Sequence, residues 1–311
     1  MAEGWRFELP LVGPGGEPVD LWRTVQSHGL ADLPPMRIDG EARALEATLA
    51  VPGLGARTVR IAGGGSGRAR VEVAGARPAA KAAARVRDAV RHVLRLDEDL
   101  SGFYGMIATD PDLAWAAAGA GRLARGGTVF EEVVKTVCTT NCAWSGTVRM
   151  VGALVAHLGE AAPGAPADGP RGRAFPTPAA MAGADEAFYR DVARCGYRGR
   201  YLRDLATSVA EGRLDLEALE TAGAAEMADD EVELRLLALP GVGPYAAAHV
   251  MMLLGRYSRL VLDSWTRPTY ARLVGGPATD AEIVARFAPY GRWAGLAFWL
   301  LLTRDWVVET G

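Results

Sequence analysis

The residues best suited to chemistry lie in Leu234-Arg-Leu-Leu-Ala-Leu-Pro-Gly-Val-Gly-Pro-Tyr-Ala-Ala-Ala-His-Val-Met-Met-Leu-Leu254. Two apolar segments flank Pro240-Gly-Val-Gly243, a link too short for anything but a tight hairpin between helices. Gly241 and Gly243 permit the positive φ that such a turn demands. The N–H groups of Gly241, Gly243 and the start of the second helix would then point outward together. They form an anion site that needs no charged side chain and suits a phosphate. The carbonyls of Leu237, Leu239 and Val242 in the same turn offer oxygen ligands to a monovalent cation, potassium or sodium. Twenty positions after Gly243 stands Asp263, in Leu260-Val-Leu-Asp-Ser-Trp265, where its carboxylate can cap a following helix.

The elements around this turn follow from its flanks. Asp229 or Asp230 can cap the first helix, which the pattern carries to Leu239. Pro244 suits the first turn of the second, where its missing N–H costs nothing, and Gly255 can close it. Upstream, Thr58–Ile61 and Arg70–Val73 alternate apolar and polar residues with period two, as does Leu45–Leu49 more loosely. Gly63-Gly-Gly-Ser-Gly67 makes an antiparallel hairpin of the last two strands. From Lys81 to Leu96 the period changes, and Val86, Ala89, Val90, Val93 and Leu94 share one helical face. Phe130–Leu158 and Glu186–Ala210 are also helical in pattern. Gly159–Pro178, rich in Ala, Gly and Pro, reads as a mobile surface loop. The expected fold is therefore α+β, with a small N-terminal antiparallel β domain over residues 1–95, carrying one or two helices, and a larger all-helical domain over 96–311.

Composition sets bounds on the chemistry. The chain has 311 residues, a formal net charge of −3, 50% hydrophobic and 23% charged residues, an ordinary folded composition. That charge excludes a wholly basic nucleic-acid carrier, though not a local basic face. Of 34 basic residues only Lys81 and Lys135 are lysines, and Lys135 reads as a surface residue. The three cysteines, Cys138, Cys142 and Cys195, are too few for a four-thiolate iron–sulfur or zinc site. An odd, sparse set also points to a reducing compartment. The first residues lack a basic segment followed by an apolar stretch, and the longest apolar runs are about half of the ~20 residues a span requires. A cytoplasmic, nucleoid-associated monomer without a membrane partner is expected.

Leu239-Pro-Gly-Val-Gly243 with its spaced aspartate resembles the helix-hairpin-helix glycosylase (HhH-GPD) superfamily. Phe130-Glu-Glu-Val-Val-Lys-Thr-Val-Cys-Thr-Thr-Asn-Cys142, Cys195-Gly-Tyr-Arg-Gly-Arg-Tyr201 and Ala288–Trp299 are similar to further segments of its 8-oxoguanine and 3-methyladenine DNA glycosylases. Leu96-Asp-Glu-Asp-Leu100 resembles the segment joining their two domains. The β-rich start agrees with the TATA-box-protein-like domain of both branches. The proline that usually precedes the family's catalytic aspartate is absent before Asp263.

The resemblance implies a partner, double-stranded DNA containing a damaged base, and a division of labour among residues. Asn141 would fill the gap left when the nucleotide flips out; Tyr197 and Arg198 would wedge beside and read the orphaned partner base. Arg190, Arg194, Arg198, Arg200 and Arg203 would supply a local positive face. Tyr245, His249, Trp299, Trp144 and Trp265 would line the base pocket, with Phe103 and Tyr104 nearby, and aromatics there favour a cationic alkylated purine. Asp263 would be catalytic, stabilising the charge that develops on the sugar and orienting water. Bifunctional members carry a lysine where this chain has Tyr245, so hydrolysis without strand-cleaving lyase activity is expected. The 8-oxoguanine branch reads the base with a glutamine where this chain has Gly295. An 8-oxoguanine-type enzyme and a noncatalytic DNA-binding or damage-sensing protein are the alternatives. No organic cofactor and no iron–sulfur cluster are implied.

Overall fold

The computed structural model describes residues 4–223 and 226–307; the extreme ends of both expected domains lie outside them. Five antiparallel strands come first: β1 (Gly4–Pro10), β2 (Met36–Asp39), β3 (Ala44–Val51), β4 (Gly55–Gly63) and β5 (Arg68–Ala74). They form one sheet in the order β1-β5-β4-β3-β2. The expected hairpin is β4–β5, in register from Val59 opposite Val73 to Gly63 opposite Ala69. Ala69, Val71 and Val73 alternate inward along β5, as period two requires. The helix Ala80–Val93 covers that face with Val86, Val90 and Val93, which join Leu45, Val59, Ile61 and Val71 in one core. A short helix, Leu21–Val25, capped by the Asp20 carboxylate, completes this part.

A second, larger core is helical. The helix Pro244–Leu253 runs through it, with every residue from Ala246 to Leu253 buried. A helix apolar all round belongs in an interior. Ala294–Thr303 is equally enclosed. The fold is thus α+β, as expected.

Between the cores lies a chain of buried charge. Arg122, wholly inaccessible, pairs with Glu17 at 2.5 Å and donates to the carbonyls of Arg95 and Glu98. The same Glu17 oxygen accepts the Leu100 N–H. Arg95 reaches the Leu253 carbonyl at the end of the central helix, and the Tyr257 hydroxyl donates to Glu98. The segment 95–100 is therefore held from both sides.

Several local expectations are corrected. Lys135 is buried, not exposed: it forms an ion pair with Glu131 at 2.6 Å and lies over the Phe175 ring. The Gly159–Pro178 segment is docked rather than loose. Ala161 bridges Arg173, Arg171 grips Glu46 of β3 with two hydrogen bonds, and Ala162 and Ala174 pack on Ala56 of β4. The helical stretch Phe130–Leu158 is two helices, Val129–Thr139 and Trp144–Leu158, broken by Thr140–Ala143. Neither Asp229 nor Asp230 caps the first hairpin helix, Asp229–Leu237, whose N-cap is Ala228 and which ends two residues before Leu239.

Two outcomes test the buried charge, one at Arg122 in this network and one at Glu132, which is buried nearby and accepts the Gly126 N–H. Arg122→Met should cost about 3 kcal/mol in urea unfolding, because Glu17 is left buried without its counter-charge. Burial pushes the Glu132 carboxyl up to about 7, with the Lys135 charge opposing. Its unfolded counterpart titrates near 4.5, so the folded protein binds more protons between those pH values. Stability is therefore lost as pH rises through that window, and the loss persists above it. Glu132→Gln should gain about 3 kcal/mol on the wild type between pH 4 and pH 8, from urea midpoints at each pH.

Candidate active site

The hairpin forms where expected, with a turn that differs in detail. Gly241 has φ 79°, whereas Gly243 is extended at φ −103° and serves as N-cap of Pro244–Leu253. A Cβ at Gly241 would lie 2.8 Å from the Tyr201 ring and 3.4 Å from Val137, so glycine is required by both conformation and approach. The N–H groups of Gly241 and Gly243 have no acceptor among the described residues, which leaves them available to an anion. The Leu239 carbonyl accepts the Val242 N–H at 3.2 Å. The Leu237 and Val242 carbonyls have no such donor among the described residues. The angle between the hairpin helices is fixed from behind: Asp229 binds Arg256 and Ser258, while Glu233 and Asp230 bind Arg259. The aspartates expected as caps work here instead.

Asp263 is half-buried just before the helix Thr266–Val274. Its Oδ1 accepts the N–H groups of Trp265 and Thr266 at 2.8 and 2.7 Å, and its own N–H donates to Thr266 Oγ1. The capping role is therefore real. It uses one carboxylate oxygen and leaves Oδ2 without a partner among the described residues. Burial raises the pKa of the Tyr245 hydroxyl and lowers that of the His249 ring, and the Asp263 charge acts upward on both.

Rings converge there. His249 meets Tyr245 and Trp299 edge to face, at 5.8 and 6.2 Å between centroids. Trp265, Trp299 and Trp306 form a triangle with sides of 5.4 to 5.9 Å. Trp299 is buried, and its indole N–H donates to the Ser27 carbonyl, whereas Trp265 and Trp306 stand partly exposed. Trp144 does not join them: it is exposed, with its indole over Gly29. Phe103 and Tyr104 are core residues, one packed on Trp293 and the other bonded to the Ala120 carbonyl.

Two members of the cluster had no sequence signal. Trp306 follows the last helix outside any motif. His28 lies far upstream, yet its ring meets His249 at 6.1 Å. Both histidines are buried and held neutral. Burial drives His28 down to about 3, with the neighbouring His249, Lys135 and Arg95 adding to it. Burial drives His249 down to about 4, against the pull of Asp263.

On the adjoining surface, Asn141 adopts φ 45° and its side chain is exposed. Arg198 lies beneath it, buried, donating to the Thr140 and Asn141 carbonyls. Its guanidinium therefore shapes this turn in the DNA-free chain rather than standing free. Tyr197 is 55% exposed and stacks on Arg198 at 4.5 Å. Tyr201 links the Tyr197 ring, 5.9 Å away, to Gly241 of the hairpin. Thr139 Oγ1 and the Tyr245 hydroxyl are 3.2 Å apart and share a hydrogen bond. The expected arginine face is thinner than its count. Arg190 and Arg200 are paired with Asp191 and Asp204, leaving Arg194 and Arg203 without an ion pair among the described residues. Gly295 faces away from the rings, since a Cβ there would lie 2.1 Å from the Arg259 carbonyl.

No group of three or more His, Cys, Asp or Glu side chains at metal-binding spacing occurs among the described residues. No helix among them is long and apolar enough to cross a membrane.

No family model matches the chain, and no curated protein matches it. Solved structures do. A 3-methyladenine DNA-glycosylase from Archaeoglobus fulgidus superposes with TM-score 0.68 at 22% identity, over 98% of this chain and 100% of that one. MBOgg1 in complex with a low-affinity DNA ligand gives TM-score 0.71 at 18% identity, over 98% of each chain. The Clostridium acetobutylicum 8-oxoguanine glycosylase/lyase, in complex with double-stranded DNA containing cytosine opposite 8-oxoG, gives 0.66 at 17%, over 90% and 92%. From sheet to last helix, the chain has the fold that these DNA glycosylases share.

Proposed function

We propose that the protein is a monofunctional DNA glycosylase that flips a damaged, alkylated purine out of duplex DNA and hydrolyses its N-glycosidic bond. The observation that carries this reading is the Asp263 carboxylate, oriented by two backbone N–H groups through one oxygen and free at the other, beside a nest of rings. Base loss builds positive charge on the sugar, and a fixed carboxylate stabilises that charge and orients the attacking water. The hairpin N–H groups would take a phosphate of the strand, and Asn141 and Tyr197, exposed on the same face, would occupy the gap and wedge its edge. The Leu237 and Val242 carbonyls fit a monovalent cation in this turn, with Leu239 already sharing one lone pair.

Hydrolysis rather than lyase chemistry follows from the lysines. Tyr245 occupies the start of the second hairpin helix, and Lys135 is buried against Glu131. Lys81 lies on the helix that covers the sheet. An alkylated base is favoured over 8-oxoguanine because no side chain fits at position 295, while the aromatic walls suit a cation. The residues 1–95 and 96–311 would act as one unit, since His28 and Ser27 reach the rings from the N-terminal part.

Methylated duplex DNA, with released bases identified by mass spectrometry, tests the reading. The wild type should release alkylated purines. Asp263→Asn keeps the capping oxygen, so it should fold normally while slowing release by about 100-fold or more. A rate within threefold of wild type would remove Asp263 from catalysis. Borohydride added during turnover should trap no covalent protein–DNA adduct, and an adduct would restore a lysine mechanism.

A further inference from the structure

Buried polar atoms nearly always have partners, so those that lack one mark places where a ligand or a water completes the structure. His28 and His249 are both more than nine-tenths buried. Three of their four ring nitrogens, His28 Nδ1 and both of His249, have no hydrogen-bond partner among the described residues. The fourth, His28 Nε2, lies 2.5 Å from the Ala124 carbonyl. A carbonyl only accepts, so His28 carries its proton on Nε2 and keeps a bare lone pair on Nδ1. The His249 nitrogens are untied among the described residues, and its neutral ring supplies one donor and one acceptor in either tautomer. The rings meet edge to face at 80°, next to Tyr245 and Trp299.

We propose that His28 and His249 together select the flipped base by its Hoogsteen edge, with His28 Nδ1 accepting an exocyclic N–H while a His249 N–H donates to the neighbouring ring nitrogen. The inference rests on the glycosylase reading above and sharpens it to a hydrogen-bonding class. The Hoogsteen edge of adenine, with its N6 amine next to N7, satisfies both roles. On that same edge a guanine methylated at N7 presents a methyl group beside a carbonyl and leaves the His28 lone pair unmet. A site with buried polar groups discriminates sharply against a partner that leaves them unpaired.

The test uses the full chain on duplex DNA treated with a methylating agent. Released 3-methyladenine and 7-methylguanine are quantified by mass spectrometry, each corrected for spontaneous loss. The wild type should favour 3-methyladenine by tenfold or more. His249→Phe keeps the ring but removes both nitrogens, and should cut 3-methyladenine release at least tenfold and bring the ratio close to one. His249→Asn, which retains a donor and an acceptor, should recover part of the preference. Affinity for a duplex with an abasic-site analogue should stay within twofold throughout, separating base reading from strand binding. His28→Phe gives the same test from a second position should one variant lose its melting transition. A ratio unchanged within twofold in a folded Phe variant overturns the histidine pair while the glycosylase reading stands. Failure of the wild type to release any base overturns both.

Discussion

Arg122 has no access to solvent, and so neither does the charge it carries. Removing an ion pair from water costs several kcal/mol per ion, and only good geometry with further hydrogen bonds offsets it. Here the offset comes from three separate stretches of chain at once: Glu17, the Arg95–Leu100 connector and, through Arg95 and Glu98, the residues that follow the central helix. The arrangement is satisfied in one relative placement of sheet and helices. That placement also brings Ser27 to the Trp299 indole and His28 to His249, so the proposed pocket is composite. Its floor is helical and one wall comes from the strand-rich part.

Within the helical part, rigidity is concentrated behind the hairpin. Arg256, Ser258 and Arg259 hold the start of the first hairpin helix from the residues just beyond the second, which closes the motif on itself. Gly295 then packs directly on the Tyr257–Arg259 backbone, its N–H donating to the Tyr257 carbonyl at 2.6 Å. The turn that would meet a phosphate and the helix that carries His249 are consequently one body. Asp263, ten residues beyond Leu253, inherits its position from that body and its orientation from the next helix.

The sequence was most legible where local geometry decides. Alternation fixed β3, β4 and β5, and the glycines and proline of the hairpin fixed a turn that only small or φ-restricted residues can make. It was least legible where a polar residue's role depends on a distant partner. Asp229 reads as a cap and is instead spent on Arg256, and Lys135 reads as exposed but finds Glu131 four residues back and Phe175 above it. Arg198 reads as a free cation, yet two carbonyls of another segment occupy it. The Gly159–Pro178 segment has a loop's composition, but Arg171 and Ala162 find their partners on β3 and β4. Trp144 fell outside the ring cluster because the break at Thr140–Ala143 turns its helix toward Gly29. His28 and Trp306 were invisible for the same reason, since nothing in their neighbourhoods along the chain records what they touch.

In the proposed reaction, the left-handed backbone at Asn141 bears on when the loop is ordered. Asparagine is among the few residues with a side chain that adopt this conformation readily. Arg198 holds the turn there from below through its carbonyls. The ordering entropy of this loop is thus lost when the protein folds, not when it meets a duplex. A probe arriving already shaped needs no search of its own conformations. In the proposed reaction, the slow coordinate is then the opening of the base pair, and the protein's part is to hold a gap as soon as it appears.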